Sequence, residues 1–221
     1  MKKGLTELVF ILDRSGSMGG LESDTIGGYN AMIKKQKEAD GEALISTVLF
    51  DNTSSVLHDR VSLDKISLMT EKEYYVGGCT ALLDAMGSAI RHIGNVHKYV
   101  REEDRPEKTM FVIITDGCEN ASQTYDYAKV KELISRQKEN YGWEFLFLGA
   151  NMDAVGEAAK MGINADRAVR YECDSEGTGL NFDVVADTVR AYRYSPKANA
   201  AFGAGGQWKK RIEEDYKARH K

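Results

Sequence analysis

Cysteine is scarce in this chain, with Cys79, Cys118 and Cys173 the only three in 221 residues. So small and odd a set excludes a disulfide framework and is expected as reduced thiols. Proline is scarcer still, at Pro106 and Pro196 alone, which leaves long stretches free for regular structure. No apolar run approaches the roughly 20 residues of a membrane-spanning helix. The run Leu8–Leu12, behind Met1-Lys2-Lys3-Gly4, is too short for a secretory signal core and ends in Asp13. A cytoplasmic location with no membrane partner is therefore the expectation. An excess of positive charge is also missing. The net charge is −4, which offers no general attraction to nucleic acid. There is no phosphate-binding G-x-x-x-x-G-K-[ST] loop and no H-E-x-x-H zinc pattern among His58, His92, His97 and His220.

What is present suits one well-buried domain, at 42% hydrophobic and 29% charged residues. Five runs read as strands: Leu8–Leu12, Ala43–Phe50, Met110–Thr115, Trp143–Leu148 and, more weakly, Arg167–Cys173. Their continuous apolar character suits parallel strands covered on both faces. Apolar residues at helical spacing lie between them: Ile26, Tyr29 and Ile33; Leu82, Met86, Ile90 and Ile93; Tyr127, Val130 and Ile134; Val155, Ala158 and Ala159; and Val184, Val185, Val189 and Tyr192. Ser54–Ser62 follows the second strand too closely for a crossover and predicts an antiparallel edge. The fold class expected is a doubly wound α/β sheet, mostly parallel with one antiparallel edge strand and helices on both faces.

The domain is expected over residues 1–195. Residues 196–221 read as an Ala/Gly-rich connector followed by a short charged tail. Gln207–Lys221 holds six Lys/Arg against three Asp/Glu, so the rest of the chain carries −7. The tail is either a frayed, solvated helix or a docking element anchored by Trp208, on the body or on a partner.

Three segments carry chemistry. Leu12-Asp13-Arg14-Ser15-Gly16-Ser17 holds Asp-x-Ser-x-Ser at the end of a strand, in a loop whose glycines allow alternate side chains to converge. Gly78-Cys79-Thr80-Ala81 places a threonine at the head of a helix. Thr115-Asp116-Gly117 places a second carboxylate after another strand. In doubly wound sheets ligands sit beyond the strands' carboxyl ends at the switch point. The two carboxylates, about 100 residues apart, therefore meet within one domain. Carboxylate and hydroxyl oxygens are hard donors suited to Mg²⁺. Singly, each has an ordinary explanation: Thr80 as a helix cap, Asp116-Gly117 as a turn, Asp13 with Ser15 as an Asx turn.

Together and in this order, these residues resemble the metal-ion-dependent adhesion site (MIDAS) of von Willebrand factor A (vWA) domains. The resemblance covers residues from about 5 to about 195. Phe147-Leu148-Gly149-Ala150-Asn151 resembles the family's fifth core strand. It implies a Rossmann-like fold and a metal held by Asp13, Ser15, Ser17, Thr80 and Asp116. Mg²⁺ is the expected metal, with Mn²⁺ or Ca²⁺ as alternatives. It implies a non-enzymatic module whose metal takes an acidic residue of a partner protein, and a chain that is monomeric on its own, of the small intracellular prokaryotic or phage type. Two other readings are open. One is a Mg²⁺-dependent phosphoryl-transfer hydrolase of the haloacid-dehalogenase kind, although position 15 is Ser where that family has a second Asp. The other is an assembly component working beside an AAA⁺ ATPase or a stress-response system. Cys79 and Cys118, flanking site positions, are expected either as small space-filling residues or as a redox-sensitive pair. Glu119, Asp51 and Asp153 are expected as solvated loop residues.

Overall fold

The computed structural model describes residues 1–195, 201–203 and 205–220. Its sheet has the strand order β3-β2-β1-β4-β5-β6. The strands are β1 (Lys2–Asp13), β2 (Glu42–Phe50), β3 (Ser54–Ser62), β4 (Pro106–Thr115), β5 (Glu144–Gly149) and β6 (Ala168–Arg170). All neighbours pair in parallel except β2 with β3. This is the expected doubly wound sheet with one antiparallel edge. The order turns around β1, which pairs with β2 on one side and β4 on the other, so the switch point lies at the carboxyl ends of β1 and β4.

β1 explains why both faces are covered. Leu8, Phe10 and Leu12 enter one core with α1 (Glu22–Lys37) and α5 (Ser175–Tyr194). Val9 and Ile11 enter the other, with α2 (Leu82–Tyr99), α3 (Tyr127–Tyr141) and α4 (Ala154–Lys160). Successive strand residues face opposite sides, so an unbroken apolar run is what a two-sided strand requires. The strand also begins earlier than its apolar core. Leu5 pairs with Glu42 and Lys2 with Pro106, across a register shift in the β1–β4 ladder. The apolar run alone marked only the doubly covered part. Val155 and Ala159 depart from expectation: both are exposed, while Ala154 and Ala158 make the buried apolar face of α4.

The tail is packed. α6 (Lys210–Arg219) lies against α5 and β6, and Phe202 and Ile212 join the α1/α5 core. Trp208 Nε1 donates to the Asp166 carbonyl at 2.8 Å, and Lys209 Nζ donates to the carbonyls of Ala165 and Ala168, each at 2.8 Å. Residues 196–200 and 204, within the expected connector, lie outside the described residues.

One charge is buried in the central strand. Glu7, fully buried, accepts two hydrogen bonds from Arg60 (2.7 and 3.1 Å) and faces His97 Nε2 at 2.7 Å. Arg60 reaches across β2 because β3 bulges there. Asp59 and Arg60 both fall opposite Ser46, and Arg60 takes a left-handed φ of 51°. Burial alone would raise the Glu7 carboxyl, but hydrogen bonds from His97 and Arg60 outweigh it and hold the pKa below the ordinary value. The stabilisation that follows is present above the unfolded carboxyl's pKa and disappears as pH falls through the lower folded value. Glu7→Ala should therefore reduce the unfolding free energy by about 3–5 kcal/mol at neutral pH. Urea unfolding of wild type and Glu7→Gln at a series of pH values should give a stability difference that shrinks below about pH 4.5. A difference that does not change with pH would refute this assignment.

Candidate metal centre

Asp13 is the last residue of β1 and Asp116 follows the last residue of β4, so the switch point sets them side by side. Asp13 is 1% exposed and Asp116 1% exposed. Asp13 Oδ1 accepts the Ser15 N–H at 2.7 Å, an Asx turn, and its Oδ2 accepts the Thr115 hydroxyl at 2.5 Å. Ser15 Oγ lies 3.1 Å from Ser17 Oγ, and Ser17 Oγ donates to Asp116 Oδ1 at 2.6 Å. Thr80 completes the group. A Cβ on Gly117 would stand 3.1 Å from Thr80 Oγ1 and 3.3 Å from Ser17 Oγ. All five residues singled out in the sequence are thus brought to one place.

Thr80 decides between its two readings. The N-cap position of α2 is Ala81, with no side-chain cap. The free N–H groups of the first turn go elsewhere: Leu83 N donates to Glu119 Oε2 at 2.8 Å and Asp84 N to Ser122 Oγ at 3.0 Å. The Thr80 hydroxyl is not used in capping its helix and faces the two carboxylates' loops instead.

The three loops are stitched by their backbones. Gly77 N donates to the Arg14 carbonyl and Gly16 N to the Gly78 carbonyl, both at 3.0 Å. Asn120 holds Thr80 from both sides: its Oδ1 accepts Thr80 N at 2.9 Å and its own N donates to the Thr80 carbonyl at 3.1 Å. Asn52 Oδ1 accepts Cys79 N at 2.7 Å. Gly78 allows this approach, with φ of +77° and no Cβ, which would otherwise stand 2.0 Å from Asn52 Oδ1. Tyr74 donates its hydroxyl to the Asp13 carbonyl at 2.6 Å.

Several acidic residues expected as solvated rim have structural duties. Asp51 pairs with Arg14 at 2.9 Å and turns the end of β2 through Thr53. Asp153 caps α4 and Glu119 braces α2. Cys79 and Cys118 are exposed, so they do not fill space. The thiol at the site is Cys173, whose Sγ lies 3.6 Å from Asp116 Oδ2. Nothing in its sequence neighbourhood marked it, since it reaches the site from the loop after β6. Asn52 and Asn120 were equally silent, because they act through backbone groups of a distant loop.

Burial raises the pKa of Asp13, and hydrogen bonds from Thr115 and Ser15 do not cancel it; the charge of Asp116 adds to the rise. Asp116 is raised by burial in the same way, against hydrogen bonds from Ser17 and Cys173. Among the described residues no three His, Cys, Asp or Glu side chains are placed to hold a metal. A cation here would rely on hydroxyl oxygens beside two carboxylates. The donor set fits a hard divalent ion: two carboxylates balance its charge, and the hydroxyls add neutral oxygens.

Solved structures share this architecture. The chain resembles a von Willebrand factor type A protein from Catenulispora acidiphila at 16% identity and TM-score 0.57, covering 84% of this chain and 43% of that one. It resembles the vWF domain of the type V pili tip protein Mfa5 from Porphyromonas gingivalis at 11% identity and TM-score 0.58, covering 87% and 97%. The chain has the vWA fold. A third neighbour, proximal thread matrix protein 1 from the mussel byssus with a zinc-occupied MIDAS motif, matches at 14% identity and TM-score 0.55, covering 84% of this chain and 46% of that one. The chain thus spans less than half the length of the first and third of these proteins, and nearly the whole of the Mfa5 domain. No family model matches the sequence, and no curated protein matches it.

The two carboxylates should differ under mutation. Asp13→Ala removes the acceptor of the Ser15 N–H and leaves the Thr115 hydroxyl only the longer bond to the Gly117 carbonyl, and should lower stability in EDTA by about 1–3 kcal/mol. Asp116→Asn keeps an acceptor for Ser17 and removes a buried charge. Its melting temperature in EDTA should equal or exceed that of wild type, since a raised folded pKa means the ionised form weakens the fold at neutral pH. Thermal unfolding in EDTA measures both. A clear loss in Asp116→Asn would mean that the charge itself supports the fold.

Proposed function

We propose that this vWA-fold protein is a non-enzymatic protein-binding module with an intact MIDAS. In this reading Asp13, Ser15, Ser17, Thr80 and Asp116 hold Mg²⁺, and the metal takes an acidic residue of a partner protein. The observation that carries the reading is the convergence of three hydroxyls and two buried carboxylates from three loops, with the Thr80 hydroxyl unused by its helix. Burial makes the ionised form of both carboxylates less favourable than in water, and a bound cation would offset that cost. When bound, the ion supplies an electrophilic coordination point. The protein's part is to hold its oxygens in place through Asn120, Asn52 and Tyr74.

Support for a binding role over an enzymatic one comes from the groups around the carboxylates. They are alcohols and one thiol, and burial beside Asp116 pushes the Cys173 thiol up to about 12. It is therefore protonated at neutral pH and a poor nucleophile. Ser15 stands where a phosphoryl-transfer site of the haloacid-dehalogenase kind would need a second carboxylate. Among the described residues no helix is long and apolar enough to cross a membrane. The sparse cysteines favour a reducing, cytoplasmic setting in this reading, and an assembly component beside an AAA⁺ ATPase or a stress-response system is the alternative role for the same site.

Mg²⁺ at about 100 times its Kd should stabilise wild type by about 2.7 kcal/mol, or about 5–10 °C in Tm for a chain of this size. Asp13→Asn, Asp116→Asn and Thr80→Ala should lose most of that shift. Affinity should weaken as pH falls, and at higher pH than for ordinary carboxylates, because both pKa values are raised. A partner retained in Mg²⁺ should be released by EDTA, and replacing its contacting Asp or Glu by the amide should abolish binding. An Mg²⁺ shift that survives Asp116→Asn would overturn the site assignment.

A further inference from the structure

On the face of the sheet covered by α2 and α3, a cavity of about 590 Å³ opens between the two helices. Arg91 and Lys98 line it from α2, Lys129 and Arg136 from α3, and Arg105 from the residue before β4. Each helical pair is seven residues apart, which is two turns and about 10 Å of rise. Each helix therefore brings two cations to the lining, of which Lys129 also donates to the Thr124 carbonyl at 3.0 Å and lies 3.8 Å from Asp126. The one carboxylate on the lining is Glu132. This concentration of positive charge lies on a chain whose net charge is −4. Arg91, Arg105 and Arg136 make no ion pair among the described residues.

The cavity also carries unmet hydrogen-bonding groups. Arg105 Nε, a donor, and Gln137 Oε1, an acceptor, are both buried without a partner. Gln137 is 8% exposed, and it fits between the helices because α2 has Gly94 opposite it. A Cβ there would stand 3.2 Å from Gln137 Nε2. Buried groups left this way weaken a fold unless something completes them. Tyr125, Tyr141 and Trp143 supply aromatic surface on the same lining.

A ligand that completes this site needs compact negative charge, an acceptor for Arg105 and a donor for Gln137. We propose that the cavity between α2 and α3 binds an oligophosphate, held by its phosphates on the arginines and lysines and presenting a nucleoside's hydroxyl or amino donor to Gln137. Guanidinium forks match phosphate oxygens two at a time. The volume lies within the range of about 300–1,000 Å³ for small-molecule sites. An acidic peptide fits less well. Its carboxylates would be spread along an extended chain at about 3.3 Å per residue, whereas these cations converge from both walls and one end.

The test is a titration in EDTA, so that the metal centre takes no part, and its failure would leave the proposed metal function standing. ATP and inorganic tripolyphosphate are titrated separately by calorimetry and by the fluorescence change at Trp143. Saturable binding is expected, weakening with added salt. Arg91→Ala/Arg136→Ala, at exposed positions, should bind at least about tenfold more weakly, as should Lys98→Ala/Lys129→Ala, while Lys210→Ala on α6 should bind like wild type. Tighter binding of ATP than of tripolyphosphate is expected, and equal binding would overturn the nucleoside contact with Gln137. The proposal is overturned if neither compound binds by about 1 mM, if both double variants bind like wild type, or if a polyglutamate peptide binds where both phosphates fail.

Discussion

Asp13 and Asp116 are two carboxylates buried together with no basic side chain in contact with either among the described residues. Burying even one unpaired charge is expensive; burial raises both pKa values, and the charge of Asp116 adds to the rise at Asp13. The surrounding groups mitigate this only with alcohols, a backbone N–H and a thiol. The arrangement originates in topology. β1 and β4 are neighbours at the point where strand order reverses, so residues that end those strands must emerge together. A pair of charges that the chain does not itself neutralise is what an external divalent cation would balance.

That balance depends on keeping the chain's own cations out. Arg14 sits between Asp13 and Ser15 in sequence and is the nearest guanidinium along the chain. It is directed away, in an ion pair with Asp51 and with its Cζ 4.5 Å from the centre of the Tyr75 ring. Alternation of side chains along the loop turns Asp13 and Ser15 one way and Arg14 the other, and Asp51 holds the arginine there. The same Asp51 supplies its carbonyl to Ala81 N at 2.8 Å. One residue thus keeps a competing charge away and ties the end of β2 to the Thr80 loop. With Asn120 and Asn52 gripping backbone on the same loop, the oxygens are positioned before any ligand arrives, the condition for a site that loses little entropy on binding.

The legible parts of this structure were those with local signatures. Asp13, Ser15 and Ser17 are contiguous, and Thr80 and Asp116 each follow a recognisable element boundary, so motif and strand end reinforced one another. The antiparallel β3 was legible because too few residues separate it from β2 for a crossover. Asn52, Asn120 and Cys173 act 27, 40 and 57 residues from their contacts, and no spacing rule marks an asparagine that will hold a distant backbone. The polar start of β1 was hidden for a different reason. Apolar periodicity reports coverage by helices, and β1 continues as a hydrogen-bonded strand at Lys2–Gly4, where its residues are no longer buried. Val155 shows the converse error, since two alanines beside it proved sufficient to bury the short α4.

Charge is sorted over the molecule in a way the total of −4 conceals. The carboxyl end of the sheet holds the paired aspartates, and the α2/α3 face holds unpaired arginines. The basic tail lies along a third, acidic border. Arg219 meets Asp174 at 2.5 Å and Arg211 meets Asp183 at 2.9 Å. These surface pairs contribute little individually, so they do not explain why the tail is ordered. Phe202 and Ile212 do, by burial in the α1/α5 core, together with Trp208 and Lys209, which occupy carbonyls around the three-residue β6. A strand so short at the sheet's border would otherwise leave backbone acceptors facing open space. Among the described residues the opposite border has no such cover. There β3 relies on its bulge at Asp59–Arg60 and on charged side chains, the usual means of discouraging further strand addition. The tail therefore belongs to the solution of an edge problem, with its charge complementing the acidic border on which it lies.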